Sequence, residues 1–188
     1  GRVPVVAATG SQNLADTLAL TEHASRVGAD ALLVVTPYYI RPPQRGLVAY
    51  YNEVCRRTSL PVMIYHIPGR TAVSVTLDTL EQIVEKSPNF VGIKHAFDDH
   101  NFVSEMIQTL GPEFRIFVGL EEFTFSMMAM GSLGTMNAAA GQWVKTELAE
   151  ALFHWRRYFR GEPRVKDDVL VNADDIKNSN LILWGDPK

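Results

Sequence analysis

Short apolar runs alternate with amphipathic segments along most of this chain. The runs cover residues 4–9, 31–37, 61–66, 90–96, 115–120 and 134–140. They start roughly 20–30 residues apart, which is the length of one strand plus one helix. Because each run is apolar almost throughout, the pattern predicts parallel strands that are covered by helices.

The segments between the runs have helical periodicity. Their apolar residues recur every three to four positions, as one buried face of a helix requires. Four stripes show this pattern: Leu20, Ala24 and Val27; Leu77, Leu80 and Val84; Val103, Met106, Ile107 and Leu110; and Leu148, Leu152, Trp155 and Phe159. Asn13, Thr76 and Thr146 are predicted helix N-caps, and Gly28 is a predicted C-cap.

Two α/β architectures fit this alternation: an open, doubly wound sheet and a closed (β/α)8 barrel of the TIM type. Neither a G-x-G-x-x-G nor a G-x-x-x-x-G-K-[ST] loop occurs, which weakens the case for a nucleotide-binding open sheet. A barrel carries its chemistry at the C-terminal ends of its strands. Polar or small residues fall at those ends here: Thr36, Tyr38, Tyr39, Tyr65, Arg70, Lys94 and Gly119. Six strands do not close an eight-stranded barrel, so we expect a partial barrel that lacks two strands.

Composition narrows the function classes. The 188 residues carry a formal net charge of -3 and are 46% hydrophobic, which is typical of a soluble globular protein. This balance argues against a nucleic-acid or anionic-membrane surface, and Arg156, Arg157 and Arg160 are interpreted as the basic face of a helix. Cys55 is the single cysteine, which excludes an intrachain disulfide and favours a reducing compartment such as the cytoplasm. No apolar run approaches transmembrane length.

The two ends of the chain differ from its middle. The first residues have the pattern of a strand from the interior of a longer protein, and they include no initiator methionine. We therefore expect an N-terminal truncation. Residues 161–180 are charged and rich in turn formers, and the apolar run 181–184 follows them. We therefore expect a barrel domain over residues 1–160, followed by a polar connector and one strand over residues 161–188. The connector has no D-x-D-x-D-G pattern, so a calcium loop is not predicted.

Lys94, at the end of its apolar run, is the candidate nucleophile. Burial would lower the pKa of its amine, and a neutral amine attacks carbonyl carbon. Side chains alternate along a strand, so Lys94 shares a face with Gly92. By the same rule Tyr65 shares a face with Met63. If both faces point into a barrel, Tyr65 lies near Lys94 and can move protons for it. Taken alone, Lys94 would be a strand-end cation that extends to water.

Other polar residues lie close to this pair in the sequence. Arg70 follows in a predicted Pro-Gly turn, where its planar fork of donors suits a carboxylate. Gly92 and Gly119 leave space for backbone and ligand to approach. His66 and His95 both end apolar runs, but no third ligand has suitable spacing, so no metal site is predicted.

Several ordered motifs give this chain a resemblance to a known family. They are residues 34–39 (Val-Val-Thr-Pro-Tyr-Tyr) with Arg41-Pro42, residues 65–71 (Tyr-His-Ile-Pro-Gly-Arg-Thr), residues 91–94 (Val-Gly-Ile-Lys), Gly119, and residues 131–137 (Gly-Ser-Leu-Gly-Thr-Met-Asn). In this order and spacing, residues 1 to about 150 resemble the dihydrodipicolinate synthase / N-acetylneuraminate lyase family of pyruvate-dependent class I aldolases. The resemblance implies strands three to eight of the family's barrel.

The resemblance implies a catalytic role at three positions. Lys94 would form a Schiff base with the keto group of pyruvate, and Tyr65 would relay protons. Tyr39 would match the tyrosine that reaches into a neighbouring subunit's site, which implies a homo-oligomer with Tyr39 near an interface. No metal or organic cofactor is expected, because the protonated imine is itself the electron sink.

The resemblance also implies the substrates. Arg70 would bind the carboxylate of the second substrate, and Gly119 and Met136 would line the pocket. An arginine in this turn favours the synthase branch, with aspartate semialdehyde as the acceptor in lysine biosynthesis. The alternatives are a 2-keto-3-deoxy sugar acid or 4-hydroxy-2-oxoglutarate aldolase, and a truncated barrel fragment without catalytic activity.

The chain departs from the family pattern in several places. The family's first two strands are expected to be missing, together with the threonine pair that binds the pyruvate carboxylate. His66 and Gly69 stand where Asn and Ser are more usual, and Glu121 and Glu122 stand where synthases often carry Asp. From about Trp155 onward the chain resembles part of an α/β-hydrolase-like peptidase or esterase.

Overall fold

Strands and helices alternate regularly in the computed structural model, which describes residues 3–137, 152, 153 and 156. The strands are β1 (Val6–Ala8), β2 (Ala31–Val35), β3 (Val62–His66), β4 (Phe90–His95), β5 (Arg115–Val118) and β6 (Gly134–Thr135). The helices are α1 (Leu14–Val27), α2 (Gln44–Arg56), α3 (Pro68–Thr71), α4 (Leu77–Lys86), α5 (His100–Leu110) and α6 (Thr124–Met130), with a 3-10 turn over Glu121–Phe123. Each predicted apolar run therefore contains one strand.

The six strands form one parallel sheet in the order β1-β2-β3-β4-β5-β6. Each strand pairs with the next one along the chain, whereas a doubly wound sheet reverses its strand order at a switch point. The described strands therefore follow the order of a barrel. The register places Tyr65 opposite Lys94, and His66 opposite His95.

The core lies between the outer face of the sheet and the helices. Outward-facing strand residues are fully buried there, namely Leu32, Val34, Ile64 and Ile93. They pack in one cluster with helix residues that include Leu47, Val54, Leu80, Ile83, Val103 and Met106. The inner-face side chains of Leu33, Val35, Tyr65 and Lys94 are only partly buried. The sheet thus has a dry outer face and a partly open inner face.

Helix ends follow the predicted capping chemistry. The Asn13 side chain accepts hydrogen bonds from the backbone N–H groups of Ala15 and Asp16 and so begins α1. Thr76 caps α4 in the same way, through the N–H of Thr79. Gly28 ends α1 with a φ of 85°, a conformation that glycine adopts without strain. The predicted cap at Thr146 lies outside the described residues.

The buried face of α1 differs from the predicted stripe. Leu20 and Val27 are exposed, while Thr17, Thr21 and Ala24 are buried. Burial of the two threonines is possible because their hydroxyl groups have partners in the fold. Thr17 Oγ1 lies 2.6 Å from the hydroxyl of Tyr50, and Thr21 Oγ1 donates to Thr9 Oγ1 at 3.4 Å. The helix was therefore predicted correctly, but of its predicted buried stripe only Ala24 is buried.

Asn89 anchors the loop that leads into β3. Its side-chain Nδ2 lies 3.1, 3.0 and 3.2 Å from the backbone carbonyl oxygens of Cys55, Thr58 and Leu60. The backbone carbonyl of Asn89 accepts a hydrogen bond from the N–H of Val62 at 2.7 Å. One amide side chain thus joins the end of α2, the start of β3 and the segment before β4. This fixes the two strands that carry the candidate site.

Some predictions fall beyond the described residues. One is the fourth helical stripe, of which only Leu152 is described, and Leu152 is helical. The other is the proposed division at residue 160, with its polar connector and final strand. Within the described ranges, no helix is both long enough and apolar enough to cross a membrane.

Candidate active site

Tyr65 and Lys94 meet on the inner face, at the C-terminal ends of β3 and β4. They are register partners, and the Nζ of Lys94 lies 4.1 Å from the centroid of the Tyr65 ring. Both side chains are partly buried. The alternation of side chains along two adjacent parallel strands thus brings the two predicted residues together. Their catalytic roles stay predictions.

The surroundings shift the pKa values of both groups. Burial lowers the pKa of the Lys94 amine, and the nearby carboxylate of Glu121 opposes that shift. Burial raises the pKa of the Tyr65 phenol, Arg70 lowers it and Glu121 raises it. A lowered pKa increases the neutral, nucleophilic fraction of an amine at neutral pH. The phenol remains protonated there and can donate a proton.

Arg70 stands at the rim of the site in a helical turn. The sequence predicted a Pro-Gly turn, but residues 68–71 form the short helix α3, since the fixed φ of Pro68 suits a first helical position. Ala72 ends α3 in the left-handed region, with a φ of 54°. Below it, Thr71 Oγ1 accepts a hydrogen bond from Thr36 Oγ1 at 3.0 Å. These contacts hold the backbone of α3 while the Arg70 side chain stays exposed.

A cavity of about 530 Å³ opens beside Tyr65. Its walls come from β1, β2, β3 and the segments that follow them: Ala8, Gly10, Leu33, Val35, Tyr38, Tyr65, Ile67, Arg70 and Thr71. This is a mostly apolar space with two phenols and one guanidinium, and its volume suits a small organic ligand. Lys94 does not line this cavity, but its Nζ lies over the tyrosine ring that does.

The loop after β2 separates the two neighbouring tyrosines. Tyr38 lines the cavity, whereas Tyr39 is 88% exposed and does not. Tyr39 has a φ of 66° and Arg41 a φ of 45°, both in the left-handed region that side chains with a Cβ rarely adopt. The strained loop therefore presents Tyr39 to the outside of the chain. The sequence placed both tyrosines at the end of a strand but assigned a role only to Tyr39, whereas Tyr38 is the one that lines the cavity.

The glycines of the site serve strand packing. A Cβ on Gly92 would lie 2.2 Å from the carbonyl oxygen of Arg115, and one on Gly119 would lie 2.6 Å from the Cβ of Ala96. Both glycines are thus required by neighbouring backbone or side-chain atoms rather than by a ligand. Met136 is partly buried and donates its N–H to the carbonyl of Val118. Neither Gly119 nor Met136 lines the cavity described above.

Two buried histidines lie directly behind the Tyr65–Lys94 pair, and sequence reasoning weighed them only as metal ligands. The Nδ1 atoms of His66 and His95 are 3.1 Å apart, and the N–H of Val75 donates to Nε2 of His66 at 3.2 Å. Burial lowers the pKa of His66 to about 3 and that of His95 to about 4. Among the residues that the structure describes, no group of three or more His, Cys, Asp or Glu could hold a metal ion.

Comparisons with known proteins agree on one family. The family described as the "Dihydrodipicolinate synthetase family" matches residues 1–154. The chain is 41% identical over 150 residues to the 4-hydroxy-tetrahydrodipicolinate synthase of Thermus thermophilus, covering 79% of this chain and 50% of that relative. It is 37% identical over 140 residues to the Bacillus subtilis enzyme of the same name, covering 74% and 48%. The chain spans about half the length of the curated relatives it matches.

Solved structures show the same relationship. The crystal structure of dihydrodipicolinate synthase from Aquifex aeolicus superposes with a TM-score of 0.75 at 34% identity, covering 85% of this chain and 55% of that one. The synthase of Methylacidiphilum fumariolicum gives a TM-score of 0.74 at 34% identity, with coverages of 85% and 52%. The predicted fold class, a partial (β/α)8 barrel, is thereby confirmed.

Proposed function

The chain belongs to the dihydrodipicolinate synthetase family, and from this premise we propose that it condenses pyruvate with an aldehyde through a Schiff base on Lys94. The observation that carries the proposal is the partly buried Lys94 amine 4.1 Å from the ring of Tyr65. The relatives are named 4-hydroxy-tetrahydrodipicolinate synthases. Aspartate semialdehyde is therefore the acceptor we propose, as part of lysine biosynthesis.

The proposed chemistry begins at the neutral amine. The Lys94 nitrogen attacks the keto carbon of pyruvate, and the Tyr65 hydroxyl gives a proton to the developing alkoxide. Loss of water from the carbinolamine yields a protonated imine, which withdraws electrons from the pyruvate methyl carbon. The Tyr65 phenolate takes a proton from that carbon to give an enamine, whose carbon forms the new bond to the aldehyde while Tyr65 returns the proton to the aldehyde oxygen. Hydrolysis of the imine then frees the product and Lys94.

Arg70 is the proposed binding group for the acceptor. Its exposed guanidinium stands at the rim of the cavity that Tyr65 lines. A guanidinium binds a carboxylate through two parallel hydrogen bonds, which orients the substrate as well as attracting it. We expect Arg70→Ala to raise KM for the aldehyde and to leave imine formation with pyruvate unchanged.

Borohydride trapping tests the first step. The protein is incubated with pyruvate, reduced, digested and analysed by mass spectrometry, and the exposed Lys86 serves as an internal control. We expect the adduct on Lys94 alone, none in Lys94→Arg, and trapping about 100-fold slower in Tyr65→Phe because the proton donor is lost. Absence of an adduct on Lys94 in the parent protein would contradict the proposal.

A substrate panel separates the acceptors. Pyruvate consumption with aspartate semialdehyde supports the synthase, whereas pyruvate release from a 2-keto-3-deoxy sugar acid or from 4-hydroxy-2-oxoglutarate supports an aldolase instead. Trapping without turnover of any of these substrates would indicate a chain that binds pyruvate and does not complete the reaction.

We also propose that the chain forms a homo-oligomer in the cytoplasm, with Tyr39 at the subunit interface. Support comes from Tyr39 itself, an aromatic side chain held outward by a left-handed backbone and 88% exposed. Sedimentation velocity with Tyr39→Ser tests this. A lowered association constant supports the interface, and unchanged sedimentation argues against it.

A further inference from the structure

The buried histidine pair lies on the outer side of the strands that carry Tyr65 and Lys94. His66 directly follows Tyr65, and His95 directly follows Lys94, so each histidine points to the opposite face of the sheet. Their side chains are almost completely buried, with 2% and 0% exposure. The rings stack at 5.2 Å between centroids, and the Phe102 ring of α5 packs against both.

The hydrogen bonds define how protons are placed on this pair. The N–H of Val75 donates to Nε2 of His66, so that nitrogen carries a lone pair. A neutral His66 then carries its proton on Nδ1 and donates it to Nδ1 of His95, 3.1 Å away. The proton of His95 is left on Nε2, which has no partner at ordinary hydrogen-bond geometry among the described residues, although the Phe97 backbone interacts with the ring and favours its charged form.

The pair is neutral at neutral pH. Burial is the largest influence on the pKa of both rings, and it disfavours the charged form. Asp99 and the backbone of Phe97 favour a charged His95, and His100 disfavours it. A proton on Nδ1 of His95 would set two N–H groups against each other at 3.1 Å. The Nδ1–Nδ1 hydrogen bond therefore needs a neutral His95, and the hydrogen bond from Val75 needs a neutral His66.

This hydrogen bond is a side-chain link at the last position where β3 pairs with β4. Directly after it, β3 turns into α3 and β4 enters a loop. Two backbone hydrogen bonds flank this link: Ala96, directly after β4, donates to the carbonyl of His66 in β3, and Gly119, directly after β5, donates to that of His95 in β4. The separation of the strand ends at this point sets the separation of Tyr65 and Lys94, one residue earlier.

We propose that the His66–His95 hydrogen bond positions Lys94 against the Tyr65 ring and keeps its amine out of water. His66 and His95 are positioning residues, because they act through the strand ends and do not face the cavity. Without the link only backbone hydrogen bonds join the two ends, which loosen so that water reaches Nζ and the neutral fraction of the amine falls. The inference rests on the proposed function only in so far as Lys94 is the reactive amine.

Two substitutions of His95 distinguish the effect of the hydrogen bond from the effect of ring packing. His95→Asn places its Oδ1 near the position of Nδ1 and can accept from His66, whereas His95→Phe keeps an aromatic ring and has no acceptor. His95→Gln is a second variant without an acceptor at that position, because its amide lies further out. It replaces His95→Phe if the phenylalanine variant does not fold.

The readout is the reactivity of Lys94 without any substrate. Trace acetic anhydride labels the protein across a pH series, and mass spectrometry compares the peptides that contain Lys94 and the exposed Lys86. We expect His95→Phe to raise the apparent pKa of Lys94 by about one unit, which makes labelling about tenfold slower at neutral pH. His95→Asn should stay within about twofold of the parent.

Three results would overturn the proposal. A folded His95→Phe or His95→Gln variant with the parent's labelling profile overturns the proposal. So does an equal shift in His95→Asn and His95→Phe, since packing alone would then explain it. A change in thermal unfolding without a shift in the Lys94 pKa also counts against it. Failure of borohydride trapping in the parent would refute the Schiff base and leave this labelling result intact.

Discussion

Replacing Gly92 by alanine should break the contact between β4 and β5 at the base of the site. The new Cβ would lie 2.2 Å from the carbonyl oxygen of Arg115, and Cβ atoms essentially never come within 3.0 Å of a neighbour. The strands must therefore separate locally by roughly 0.8 Å, and the obstacle is backbone that cannot rotate away. Overpacking of this kind costs about 1–3 kcal/mol, and weakened ladder hydrogen bonds add about 1 kcal/mol. We expect the free energy of unfolding to fall by about 3 kcal/mol.

Urea denaturation followed by circular dichroism measures this change, and Gly69→Ala is the matched control. A Cβ on Gly69 meets nothing within 4 Å, and Gly69 lies in the helical turn α3 with no positive φ. The control should stay within about 1 kcal/mol of the parent and shift towards higher stability. A Gly92→Ala variant as stable as the control, with an unchanged denaturant slope, would refute the claim that β4 and β5 approach too closely for any side chain.

Three other outcomes are expected. Asn89→Asp should lower the free energy of unfolding by about 3 kcal/mol, because a carboxylate would replace the amide that faces three carbonyl oxygens; a loss below about 1 kcal/mol in urea would argue against the anchor. Stability should fall as pH drops below 6.5, since the unfolded histidines take up protons while His66 and His95 stay neutral until about 3 and about 4. The slope approaches about 1.4 kcal/mol per pH unit for each histidine, and an equally steep slope in a His66→Asn/His95→Asn double variant would contradict this. Lys94→Met should be more stable than the parent at neutral pH, because burial disfavours the charged amine, and the difference should shrink as pH rises towards 10.5; a less stable variant in urea would refute it.

Most of the fold could be predicted because parallel strands covered by helices leave an unmistakable apolar pattern. Residues 62–66 and 90–95 lie within predicted runs and form β3 and β4. The burial of Thr17 and Thr21 in α1 could not be predicted, since their hydroxyl groups find partners outside the helix, at Ser11, Tyr50 and Thr9. A local pattern records which residues avoid water by themselves, and not which polar groups find a partner after folding.

The site was predictable in part for the same reason. Alternation along two neighbouring strands places Tyr65 and Lys94 on the same kind of face, and the register of β3 against β4 then brings them opposite each other. The link between His66 and His95 depends on the register, and a shift of one residue would have placed these rings apart. The separation of Tyr38 from Tyr39 depends on a left-handed backbone at Tyr39, which no side-chain pattern encodes.

The sequential order of the sheet has a consequence for how the molecule opens. Within the described sheet, β1 and β6 each border a single strand, while β3 and β4 lie at its centre. Because each strand pairs only with its neighbours, local unfolding that breaks backbone hydrogen bonds starts at the edge strands and progresses inward. Amide protons of Tyr65 and Lys94 should therefore exchange with deuterium more slowly than those of β1. Tyr65 and Lys94 thus belong to the part of the described sheet that is least often exposed to water by local unfolding.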